Sequence, residues 1–175
     1  ITDLKFLNTQ VFVNTTENII FDNITAENSQ TGLGQGTGSF AIRDGSINIT
    51  VKNSDFITTS NGGYSTLVLT WAKDCTIDNN NITGTGNVGN LVYLNNYGGS
   101  ANANGITKNS HNTISNNTIT ATNNGVFCYS LSISGPNNTI INNEIKNAKS
   151  NKTILISTHI VSDIEYLCDE IIVLK

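Results

Sequence analysis

The chain has 175 residues, enough to bury one sizeable core. Its net charge of −4 gives no basic footprint for nucleic acid or an anionic membrane. Asn supplies about one residue in six, Met is absent, Pro occurs once and charged residues make up 13%, while aliphatic residues remain plentiful. The Asn content is far above ordinary usage, and the chain is too apolar to be disordered.

In chain order, residues 1–24 alternate apolar and polar at Leu4, Phe6, Val11, Val13, Ile19 and Phe21, as short strands do. The glycine-rich run 30–38 reads as a loop. Strands are expected again at 40–42 and 47–51. After the Asn61-Gly62-Gly63 turn comes a run from Tyr64 to Trp71, with Leu67, Leu69 and Trp71 on one face and Val68 on the other. Gly84 to Gly89 fits GxGxxG, but an aliphatic strand follows where a dinucleotide site needs a helix, so it reads as a loop. Runs 91–94 and 126–133 suit strands of a stacked parallel sheet. Between them, residues 95–112 form the longest irregular stretch and are expected to loop out of one coil.

One phrase organises this pattern. Asn112-Thr113-Ile114-Ser115-Asn116-Asn117-Thr118-Ile119 returns as Asn138-Thr139-Ile140-Ile141-Asn142-Asn143-Glu144-Ile145, and more loosely as Thr76-Ile77-Asp78-Asn79-Asn80-Asn81-Ile82. Worn copies run from Val51 through Asn53 to Phe56 and from Ile19 to Ile24. Each holds two apolar residues five apart, which a continuous strand would send to opposite faces. A sharp bend between them lets both point inward, and Asn is the non-glycine residue best able to adopt the left-handed conformation of such a bend. Copies recur about 26 residues apart, a period typical of repeat architectures. The prediction is an all-β, parallel β-helix, with Asn53, Asn79, Asn80, Asn116, Asn117, Asn142 and Asn143 as structural corners in hydrogen-bonded ladders.

These phrases, with Gly-rich corners ahead of the aliphatic strands, resemble the right-handed parallel β-helix repeats of adhesin-like surface proteins. The resemblance covers residues 1–150. It implies an extracellular or cell-surface module, although the chain shows no signal peptide and its start at Ile1 suggests a piece of a longer protein. Because the same scaffold also serves lyases and glycosidases, polysaccharide cleavage is the second reading. Its candidate carboxylates are Asp74 with Asp78, Asp44 beside Arg43, and Asp55; nothing in the spacing pairs them across coils, and surface carboxylates are the simpler expectation. Cys75, Cys128 and Cys168 have no metal spacing and read as free thiols. His111 reads as a surface residue, and neither metal nor cofactor is expected. Tyr97, with Asn95 and Asn96 just before it, forms the candidate ligand-binding set, for either carbohydrate or a surface protein.

Residues 151–175 carry a different text, a β–α–β pattern: strand 152–157, a helix opened by the capping-box spacing Ser162-Asp163-Ile164-Glu165, then strand 171–174. This segment resembles the switch-histidine tail of an ABC-transporter ATPase domain, with His159 as the matching histidine. No phosphate-binding loop or signature motif accompanies it, so the third reading is an incomplete ATPase fragment without independent activity. The expected role of 151–175 is to cap the end of the solenoid, whether the join is engineered, a gene rearrangement or a natural chimera.

Overall fold

The computed structural model describes residues 1–29, 38–60, 65–86, 90–96, 99–122 and 129–147. It is all-β, with sixteen short strands: β1 (Lys5–Leu7), β2 (Val11–Asn14), β3 (Ile20–Asp22), β4 (Thr25–Asn28), β5 (Phe40–Arg43), β6 (Thr50–Lys52), β7 (Asp55–Ser60) and β8 (Leu67–Thr70), then β9 (Thr76–Asp78), β10 (Asn81–Gly86), β11 (Asn90–Asn95), β12 (Thr113–Ser115), β13 (Thr118–Ala121), β14 (Tyr129–Ile133), β15 (Thr139–Ile141) and β16 (Glu144–Asn147). Every third strand stacks on its predecessor. Sheet 1 runs β1-β4-β7-β10-β13-β16, sheet 2 runs β2-β5-β8-β11-β14 and sheet 3 runs β3-β6-β9-β12-β15, with all pairings parallel. This is a β-solenoid, as the repeat predicts.

The interior follows from residue alternation across aligned strands. On sheet 3 the inward column is Phe21, Val51, Ile77, Ile114 and Ile140. On sheet 1 it is Phe6, Ala26, Phe56, Ile82, Ile119 and Ile145. The two apolar residues of each good repeat copy thus both reach the core; Ile77, Ile82, Ile114 and Ile119 are fully buried. One register differs from the sequence expectation. The first worn copy aligns through Phe21 and Ala26, not Ile19 and Ile24, because the turn at Asn23 sets the phase. Phe40 sits at the centre of an aromatic stack, edge-on to Phe21 at 5.2 Å and Phe56 at 5.3 Å.

Two predicted elements are corrected. The run 47–51 is broken by a left-handed turn at Asn48, so β6 begins only at Thr50. Gly84 and Gly86 are strand rather than loop, Gly84 pairing between Thr58 and Ala121 on sheet 1. Trp71 also leaves the strand face expected for it, since β8 ends at Thr70 and Trp71 turns the corner with φ 55°.

Candidate functional site

Left-handed residues turn the coils at three places, after sheet 2, before sheet 3 and after sheet 3, and at the last of these a buried polar residue follows from the second coil on. After sheet 3 the left-handed positions are Asn23, Asn53, Asn79, Asn116 and Asn142, with φ between 52° and 54°. Their exposed amides bond along the stack: Asn79 Nδ2 donates to Asn53 Oδ1 at 2.7 Å, and Asn53 Nδ2 to Asp22 Oδ1 at 2.8 Å. The next residue carries the buried ladder Ser54, Asn80, Asn117, Asn143. Asn117 shows its logic. Its Oδ1 accepts the Asn80 N–H at 2.9 Å and its Nδ2 donates to the Ile77 carbonyl at 2.9 Å, so one amide satisfies two backbone groups of the preceding coil. Asn80 and Asn143 repeat the pattern on Val51 and Ile114. All seven predicted corner residues therefore lie in two ladders of different kind, an outer one of left-handed turns and an inner one of buried amides.

The other corners use the same device with more varied residues. Before sheet 3 the left-handed residues are Asn18, Asn48, Asp74, His111 and Asn137, and the buried amide of Asn112 bridges Cys75 N and Ala72 O. His111 is thus a corner residue, in contact with Asn137 at 3.3 Å. After sheet 2 they are Thr15, Asp44 and Trp71, and Asn109 bridges Ala72 N and Leu69 O. Neither Asn109 nor Asn112 was singled out by sequence reasoning. Asn112 stands at the head of the repeated phrase, which was a signal; Asn109 had none, because a loop separates it from β11.

That loop, residues 96–109, is anchored at its neck and folded back over an earlier coil. Asn95 is buried, and its carbonyl accepts from Asn109 Nδ2 at 2.8 Å. The Asn96 side chain accepts the Asn109 N–H at 2.8 Å, and its carbonyl accepts the Trp71 indole N–H at 3.0 Å. Both asparagines hold the neck, while Tyr97 lies outside the described residues. Farther along, Ser100 N donates to Asp44 Oδ1 at 2.8 Å and Asn104 Nδ2 donates to the Gly45 carbonyl at 2.8 Å. Close approach is built in. A side chain on Gly45 would collide with the Asn102 amide, and one on Gly99 with the Trp71 indole.

Each candidate carboxylate has partners of its own. Asp78 accepts from Ser115 Oγ at 2.6 Å and Asn116 Nδ2 at 2.7 Å. Asp55 accepts from Asn81 Nδ2 at 3.3 Å, Asp44 lies 3.2 Å from Arg43 Nε, and Asp74, at a different corner, lies 3.6 Å from Lys73. Asp22 is held below the usual carboxylate range, chiefly by the Asn53 amide and then by Lys52. Burial pushes the Cys75 thiol up to about 11, and Cys75 is free. Among the described residues no cluster of His, Cys, Asp or Glu could hold a metal, and no helix is long and apolar enough to cross a membrane. His159, Cys128, Cys168 and the whole 151–175 segment lie outside the described residues.

Three stacked parallel sheets with amide-laddered corners define a solenoid of the β-helix class. The family model for a right-handed β-helix region matches residues 1–161, and the chain belongs to that family. The match runs past the boundary at residue 150 that composition suggests. Searches of curated proteins and of solved structures returned no match.

Proposed function

We propose that the chain is a non-enzymatic surface module, a rigid adhesin-like scaffold whose 95–112 loop contacts carbohydrate or another surface protein outside the cell. One observation carries this reading: of the candidate carboxylates, Asp44, Asp55 and Asp78 are engaged in holding coils or loop together, and Asp74 pairs only with the neighbouring Lys73. Asp3, Asp22, Asp55 and Asp78 accept amide hydrogen bonds from the next coil, and Asp44 anchors the loop. A glycosidase or lyase needs carboxylates free to exchange protons with substrate, about 5–10 Å apart on one face.

The loop is the natural contact surface because a scaffold holds it at both neck and crest, which lowers the ordering cost of binding. Tyr97 supplies the aromatic that would stack on a sugar ring. The test is a glycan-array screen of the whole chain beside Tyr97→Ala, with product release from the same polysaccharides followed in parallel. Saturable binding lost in the variant supports an adhesive module, and no binding leaves a spacer. Turnover of any polysaccharide would overturn the non-enzymatic reading.

A further inference from the structure

We propose that Asn104–Gly105 is a self-modifying latch: spontaneous deamidation of Asn104 releases the 99–108 loop from the coil and uncovers Trp71. Asn104 is the one asparagine among the described residues that is followed by glycine. Deamidation begins when the next residue's backbone nitrogen attacks the side-chain carbonyl carbon, and a side chain on that next residue stands in the way. Gly105 has none, and the space where a Cβ would sit is open, with nothing within 4 Å.

The ladder asparagines are protected twice. Thr118, Glu144 and Thr113 follow Asn117, Asn143 and Asn112, and their backbone N–H groups donate across to the neighbouring coil at 2.8 to 2.9 Å. The Gly105 N–H makes only a local turn bond, to the Asn102 carbonyl at 3.2 Å. Freeing it for attack breaks no sheet.

In the reaction the Gly105 nitrogen bonds to Asn104 Cγ. The amide nitrogen leaves as ammonia, taking the proton of the Gly105 N–H, and a five-membered succinimide closes. Water then opens the ring at either carbonyl, giving aspartate or isoaspartate with no change of oxidation state. The product cannot hold the latch. Asn104 Nδ2 is a donor to the Gly45 carbonyl at 2.8 Å, and a carboxylate there sets acceptor against acceptor. It also adds negative charge beside Asp44, whose carboxylate holds Ser100. Loss of the Asn104 anchor, with the new charge repelling Asp44, lifts Gly99 from the indole of Trp71, against which it packs.

Trp71 is the chain's single tryptophan, so its fluorescence reads the latch directly. Whole wild-type chain is aged at mildly alkaline pH while peptide mapping follows amide-to-acid conversion and acrylamide quenching follows Trp71. Conversion at Asn104 is expected at least about tenfold faster than at Asn80 or Asn117, whose following residues carry side chains. Quenching rises in step with it. Asn104→Asp shows the aged quenching from the start, and Asn104→Gln, whose ring closure is disfavoured, shows no conversion and no rise. Equal conversion rates at Asn104 and the ladder asparagines would overturn the modification. Fresh-protein quenching in a folded Asn104→Asp variant would overturn the latch.

Discussion

At the scale of the residue, two asparagines adjacent in sequence do opposite work. Asn116 is exposed in the left-handed region, where any L residue with a Cβ is strained. Asn117 is buried and answers two backbone groups of the preceding coil. Asn116→Gly is therefore expected to stay within about 1 kcal/mol of wild type, as lost strain offsets the lost Asp78 contact. Asn117→Ala strands the Asn80 N–H and the Ile77 carbonyl and is expected to cost about 2–6 kcal/mol, at about 1–3 kcal/mol per unmet buried group. Urea unfolding of the two variants side by side checks the contrast.

The same scale governs pH. Cys75 has a folded value near 11 against an ordinary 9.0, so it favours the folded state fully below pH 9, and that contribution is lost as pH rises through 11. Thiol labelling followed by peptide mapping should leave Cys75 unmodified at neutral pH until the chain unfolds. Asp22 works in the opposite direction. Its depressed value gives stability present above the ordinary 3.8 and lost on further acidification, an effect that Asp22→Asn should abolish in a melting-temperature series across acidic pH.

At the scale of the element, the phrase that repeats in the sequence marks one of the three left-handed turning points described. It is legible because that corner keeps Asn-Asn, or close relatives, through successive coils. The corner after sheet 2 is filled by Thr15, Asp44 and Trp71, residue types with no common preference for the left-handed region, so nothing in the sequence announces it. The neighbouring coil's hydrogen bonds impose the turn there: Asp44 N donates to the Thr70 carbonyl and Gly45 N to the Trp71 carbonyl. The loop was legible as an insertion, but not its path, because its anchors reach 56 to 59 residues back to Asp44 and Gly45. Within the core, Phe40 bridges Phe21 and Phe56 across three coils. Phe40→Ala should cost about 3–5 kcal/mol, a loss measurable by chemical denaturation.

At the scale of the whole molecule, five of the six large apolar side chains exposed among the described residues lie at one end, the sixth being Ile141 on β15. Ile1, Leu4, Leu7, Phe12 and Ile20 are each 44–56% exposed, and β1, β2 and β3 are the terminal strands of their three sheets. Sheet ends with apolar side chains invite association through unpaired backbone groups. Ile20 is the informative position. It begins an outward column that continues as Thr50, Thr76, Thr113 and Thr139, so every later coil places threonine where the first coil places isoleucine. Ile20→Thr extends that column, keeps a β-branched residue suited to a strand and removes exposed apolar surface. The expected outcome is unchanged unfolding stability with less concentration-dependent association, read by light scattering across a dilution series. If association is unaltered while Leu7→Lys reduces it, contact is made through the outer face of sheet 1 at this end and not through sheet 3. If neither substitution matters, the first coil does not drive association, and the edge strands are already guarded by the twist and shortness that natural sheets use against pairing.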